Sequence, residues 1–219
     1  LAGESSGIVN PYSAWREIDL SRISFGYTIS VTPLQLLKAV SVFGNEGQMV
    51  EPYIVKHDRP RHRRHKKVYS PSTVRDVMKV MRKTVDEGTG ELTKIPYFTV
   101  GGKTGTARRF SQEAHGYATG EYTNSFLGIF PLEHPKFAMI VVIMNPRTTM
   151  FASQTAVPAF KGIAAQVLRY LRIPPDNMPT QNIGLDAWVL PALPKLILPI
   201  ISAPSVIPTA AQSEESIPT

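Results

Sequence analysis

The chain has no cysteine among its 219 residues. That removes thiol nucleophiles, disulfides and thiolate-bound metals together, and leaves the redox compartment open. It has no apolar run of membrane length. An initiator Met and a signal peptide are also missing, and Leu1 to Gly7 reads as loop. These absences lead us to expect a piece of a longer polypeptide, with one cored domain and a tail.

Positive charge is plentiful, but only in one place. The net charge is +7, and the segment Lys56 to Lys67 holds seven Lys/Arg against Asp58, or +6. The rest of the chain therefore carries only +1. No aromatic interleaves these cations and no recognition helix adjoins them, so nucleic acid is not an expected partner. A solvated connection, or contact with anionic headgroups or another polyanion, fits the segment. His62 and His65 stand among cations, so no metal is expected there. No cofactor is expected either.

The stretch Gly101-Gly102-Lys103-Thr104-Gly105-Thr106-Ala107 is the most informative, with apolar Tyr97 to Val100 leading into it. It reads as a strand edge that receives an anion. Lys103 supplies charge, Thr104 and Thr106 donate hydrogen bonds, and Gly105 lets a ligand approach the backbone. A phosphate-binding loop fails here. That motif needs glycine where Tyr97 stands and a helix directly after Thr104, whereas Gly105 follows at once.

Helices are expected at three places. Thr32-Pro33-Leu34-Gln35 is a capping box with Pro first in the helix, followed by a face of Leu36, Leu37, Val40 and Phe43 up to Gly44. Ser70-Pro71 opens a second, with Val74, Val77, Met78, Met81 and Val85 inward and Gly88 as its end. A third starts near Ser153 or Thr155, buries Phe160, Ile163, Ala164, Val167, Leu168 and Leu171, and closes at Pro174-Pro175. Strands are expected over Pro96 to Arg109, Tyr122 to Phe130 and Phe137 to Met144. The last is continuously apolar, as a central strand would be, and Pro131 to Lys136 suits a hairpin. From Pro174 on, frequent prolines exclude regular structure, so a domain over 1–173 and a Pro-rich tail over 174–219 are expected.

Four stretches in this order carry a family resemblance. They are Ser24-Phe25-Gly26-Tyr27 leading to Val31-Thr32-Pro33-Leu34-Gln35-Leu36, then Gly44-Asn45-Glu46-Gly47, Glu87-Gly88-Thr89-Gly90, and Val100 to Ala107. With them the chain resembles the C-terminal half of a penicillin-binding transpeptidase domain of the class B type, over about residues 1–172. The resemblance implies an α+β fold, an α/β sandwich of antiparallel strands flanked by helices, shared with serine β-lactamases. It implies peptidoglycan D,D-transpeptidation, in which an S-x-x-K serine attacks the stem peptide and an S-x-N motif helps move protons. Lys103 and Thr106 then take catalytic roles, as the cleft cation and an oxyanion N–H donor. Thr104, Gly105, Thr106 and Arg108 take substrate-binding roles, and Arg109 adds to the field. Tyr27 and Tyr122 line the cleft. Implied partners are stem peptides, β-lactam antibiotics, a membrane glycosyltransferase and other division or elongation proteins. The implied location is the extracytoplasmic side of the inner membrane.

One departure is large. No serine here has lysine three positions on, and none has asparagine two positions on. Ser5 and Ser6 are loop residues without a nearby base. The expectation is one wall of an active site without its nucleophile, the other motifs lying upstream of Leu1. A non-catalytic scaffold of the same fold is the alternative, and a serine β-lactamase a third reading.

Overall fold

The computed structural model describes residues 4–53, 66–111 and 116–178. Of the basic segment 56–67 only Lys66 and Lys67 are therefore covered, and the expected tail from 179 on lies outside the described residues.

In chain order, β1 (Ile8–Val9) is followed by α1 (Glu17–Ser24) and β2 (Ile29–Ser30), which pairs antiparallel with β1. Next come α2 (Pro33–Ser41) and β3 (Gln48–Met49). A second small ribbon joins β3 to β4 (Lys66–Lys67), which leads into α3 (Pro71–Asp86). The main sheet is β5 (Gly101–Ser111), β6 (Gly116–Phe130) and β7 (Phe137–Met144), antiparallel and in that order. Helix α4 (Ala156–Tyr170) closes the unit.

The helix starts follow from their caps. Thr32 Oγ1 accepts from Gln35 N at 3.1 Å and Gln35 Oε1 accepts from Thr32 N at 2.8 Å, the reciprocal box that satisfies two orphan donors. Ser70 Oγ accepts from Thr73 N at 3.2 Å, with Pro71 first in α3. At the other end, α2 stops at Ser41, before Phe43 and Gly44. The chain turns through Phe43–Asn45 and then through Glu46 and Gly47, both left-handed at φ 54° and 83°. Leu36 is exposed, so the inward face is narrower than its spacing suggests. Likewise Ile163 and Leu171 of the third helix are exposed, while Phe160, Ala164 and Leu168 are buried.

The sheet is covered on both faces. On one, α4 lays Phe160 edge-on against Phe126 and Phe130, with ring centroids 4.8 and 5.5 Å away. On the other, Met81 of α3 packs with Ile129 and Leu132, and Val40 and Phe43 add to that cluster. Each fully buried ring stabilises the fold by about 1.5–3 kcal/mol, and each edge-on pair by about 0.5–1.5 kcal/mol more.

Three strand expectations are corrected. The first strand begins at Gly101 rather than Pro96, because Ile95 bridges Phe98 through a tight turn in which Tyr97 has φ 65°. The second begins at Gly116 rather than Tyr122. Its Gly120, at φ 78°, lies in the irregular stretch opposite Arg109 that lets pairing resume at Tyr117. The third has the expected bounds and hairpin, Phe130 facing Phe137, yet β6 is the central strand and β7 pairs with β6 alone among the described residues. Its apolar composition is explained by helices on both faces. Phe137, Met139, Val141 and Ile143 pack on the α4 cluster and Ala138 on the cluster of Val40 and Phe43, while Val142 and Met144 towards its end are exposed.

The entry to β5 is tied down from two directions. The Asp176 carboxylate accepts from Thr99 N at 2.7 Å and from Glu133 N at 3.2 Å. The Thr99 hydroxyl donates to Asp176 and accepts from Leu132 N at 2.9 Å. Asn177 N also donates to Tyr97 O at 3.1 Å. Asp176 and Asn177, grouped with the tail by composition, thus hold the strand that carries Lys103.

Candidate active site

Side chains alternate across a strand, so Gly102, Thr104 and Thr106 share the α4 face of β5 while Lys103 and Gly105 share the opposite one. Gly102 is required by packing. A Cβ there would stand 2.4 Å from Phe126 Cζ and 2.7 Å from Leu127 O. The glycine therefore lets the core ring slide under the strand just where the functional residues begin. Gly105 differs, since a Cβ there would meet the movable Ser125 Oγ at 2.5 Å. That leaves the backbone at 105 open apart from one small side chain.

The hydroxyls of the strand are already oriented. Thr104 Oγ1 lies 2.7 Å from Thr89 Oγ1, on the turn after α3. Thr106 Oγ1 accepts from Ala152 N at 3.3 Å. Lys103 is exposed, and its ammonium folds back to donate to Thr104 O at 2.8 Å. Arg108 is exposed and faces half-buried Tyr122 across the ladder. Arg109 donates to Glu121 at 3.1 Å, so its charge is offset locally and adds less to the field than expected. Tyr27 stands apart on the segment between α1 and β2, its ring edge-on to Phe25 at 5.4 Å.

The structure therefore gathers Thr104, Thr106, Arg108 and Tyr122 along one face, sets Lys103 and Gly105 on the other, and leaves Tyr27 on the segment between α1 and β2. It adds Thr89, Asn124 and Thr155, to which the sequence had assigned no part in the site. Thr89 belongs to a stretch already noted for its resemblance, and it meets Thr104. Asn124 is fully buried opposite Thr106, and its amide nitrogen donates to Thr155 Oγ1 at 2.8 Å. The available signal was a polar residue two positions before Phe126, on the side of β6 that continues with Phe126, Gly128 and Phe130. Such an array can hold a carboxylate and polarise a carbonyl.

Comparison with known proteins decides the family. Residues 1–165 match the model of the penicillin binding protein transpeptidase domain. The chain belongs to the penicillin-binding protein transpeptidase family. A probable peptidoglycan D,D-transpeptidase, PbpC of Pseudomonas aeruginosa, is 33% identical over 178 residues, covering 80% of this chain and 31% of that protein. Peptidoglycan D,D-transpeptidase FtsI of Escherichia coli is 32% identical, covering 82% of this chain and 30% of that protein. The solved apo transpeptidase domain of penicillin-binding protein 3 from Burkholderia pseudomallei superposes with a TM-score of 0.72 at 32% identity, over 80% of this chain and 53% of that one. The chain thus spans about a third of the length of these curated relatives. The fold is the expected mixed helix and antiparallel-sheet arrangement of these domains, and the relatives bear the names of transpeptidases rather than β-lactamases.

Proposed function

We propose that this chain is the K-T-G-bearing part of a peptidoglycan D,D-transpeptidase, with the attacking serine supplied by sequence outside these 219 residues. The observation that carries the reading is the arrangement on β5. Thr104 and Thr106 have their hydroxyls fixed by Thr89 and Ala152, beside an exposed Lys103 on an edge that no other described strand covers.

In this reading the terminal carboxylate of a stem peptide, or the carboxylate of a β-lactam, docks on the Thr104 and Thr106 hydroxyls, with Arg108 near by. Lys103 supplies positive potential and a hydrogen bond to the S-x-N serine. The serine gives up its proton to a base of the S-x-x-K and S-x-N region and attacks the penultimate D-Ala carbonyl. The Thr106 N–H stabilises the oxyanion. Collapse of that oxyanion breaks the amide bond, so that the terminal D-Ala leaves as an amine that takes up that proton. A strand N–H is held by its neighbours before reaction begins, and one such donor is typically worth about 10²–10³ in rate. Water or the amine of a second stem peptide then resolves the ester. A membrane glycosyltransferase and other division or elongation proteins are the proposed partners, on the extracytoplasmic side of the membrane. No described helix is long and apolar enough to cross a membrane.

The test uses the polypeptide that joins this chain to its S-x-x-K region. It should cross-link a stem-peptide donor to an amine acceptor, and a β-lactam should block that reaction with one-to-one covalent labelling. Cross-linking that β-lactams leave untouched, or no labelling by a fluorescent penicillin, contradicts the proposal.

A further inference from the structure

A closed path of hydrogen bonds runs behind Thr106. Asn124 sits on β6 directly opposite Thr106 and is 0% exposed. Its Nδ2 donates to Thr155 Oγ1 at 2.8 Å, and Thr155 Oγ1 donates to Phe151 O at 3.1 Å. The next residue, Ala152, donates its N–H to Thr106 Oγ1 at 3.3 Å. The path thus leaves one strand, passes through the turn before α4, and returns to the neighbouring strand.

Two features set this path apart from ordinary packing. A buried amide is costly unless its hydrogen bonds are made, and an apolar residue beside Phe126 would avoid that cost. Among the described residues the Asn124 Oδ1 has no partner, so the Nδ2 contact to Thr155 is the side-chain hydrogen bond that places this buried amide. Thr155 also stands at the N-cap position of α4, where its hydroxyl would normally cap a helical N–H. It makes no such cap and holds Phe151 instead.

The consequence falls on the Thr106 proton. A hydroxyl has one donor and two acceptor sites. With one lone pair taken by Ala152 N–H, the Thr106 O–H is left to donate, in a direction set by the turn. We infer that Asn124 and Thr155 are positioning residues that act through the 151–152 turn to aim the Thr106 hydroxyl at the carboxylate of the acyl donor. This rests on the reading of β5 as the carboxylate-binding wall.

The test measures acylation rates of the serine-bearing polypeptide with benzylpenicillin and with its methyl ester, which lacks the carboxylate. Thr155 is half-buried, so Thr155→Val keeps its shape while removing the hydroxyl. Thr155→Val should slow penicillin about five- to tenfold, the loss of one hydrogen bond, and leave the ester within about twofold. Thr155→Ser should restore the rate. Asn124→Ala should show the same penicillin-selective loss. In a Thr106→Val background, Thr155→Val should add nothing further. Equal slowing of both probes, or undiminished preference for the carboxylate in Thr155→Val, overturns the inference. A wild-type protein that penicillin does not acylate, or that does not prefer it to the ester, instead overturns the underlying reading of the strand.

Discussion

Lys103→Ala is expected to slow penicillin acylation of the serine-bearing polypeptide by about 10²–10³, the range seen when one preorganised charge-stabilising group is removed. Its melting temperature should meanwhile move by only about 1–2 °C. The two expectations come from one observation. Lys103 is exposed, and its only described contact is to the neighbouring Thr104 carbonyl, so the fold draws little from it. In the proposed reading its value lies in positive potential at the strand edge next to Thr104, and in a hydrogen bond to the S-x-N serine. A charged hydrogen bond contributes on the order of 1.5–3 kcal/mol, and potential in a water-poor cleft adds to it. Time-resolved labelling with a fluorescent penicillin, alongside a thermal melt, separates rate from stability. Near-normal labelling of a folded Lys103→Ala protein would place the cleft away from β5.

Gly102→Ala should have the opposite signature, a loss of stability from a residue that touches no substrate. The added methyl has nowhere to go, because the Phe126 ring and the Leu127 carbonyl already lie within 2.4 and 2.7 Å of its position. Overpacking of this kind costs about 1–3 kcal/mol, or on the order of 2–12 °C in melting temperature for a domain of this size. Gly105→Ala is the control, since it meets only the Ser125 hydroxyl, which can rotate away. Calorimetry on both variants distinguishes the cases. Equal melting temperatures would mean that Gly102 does not set the approach of strand to core.

Much of this arrangement was legible in the sequence because local chemistry fixed it. The Thr32–Gln35 box and Ser70-Pro71 mark helix starts whatever surrounds them, and Phe137 to Met144 is too apolar to be anything but a covered strand. Readings failed where tertiary context decided. Gly116 and Gly120 precede the expected strand start at Tyr122, yet both lie within β6, where pairing with β5 continues past an irregular stretch. Tyr97 reads as strand, but its left-handed backbone turns the chain before β5. The third strand looks central because α4 packs on one of its faces and the α2 cluster reaches Ala138 on the other, although only β6 pairs with it among the described residues.

The site divided in the same way. Lys103, Thr104 and Thr106 stood out as candidates by residue type, and their place on one strand followed from the apolar lead-in. The partners that orient them were not. Thr89 is 15 residues from Thr104 in sequence, Ala152 is 46 from Thr106, and Thr155 is 31 from Asn124. No local pattern announces such pairs, which meet only after the helices have docked on both faces of the sheet.

The most direct test of the account is the mass of penicillin-treated protein, measured on the 219-residue chain alone and on the serine-bearing polypeptide, with peptide mapping of any adduct. No adduct is expected on the chain alone, and one adduct per longer polypeptide is expected on a serine outside residues 1–219. Stoichiometric acylation of any serine within the chain would contradict it.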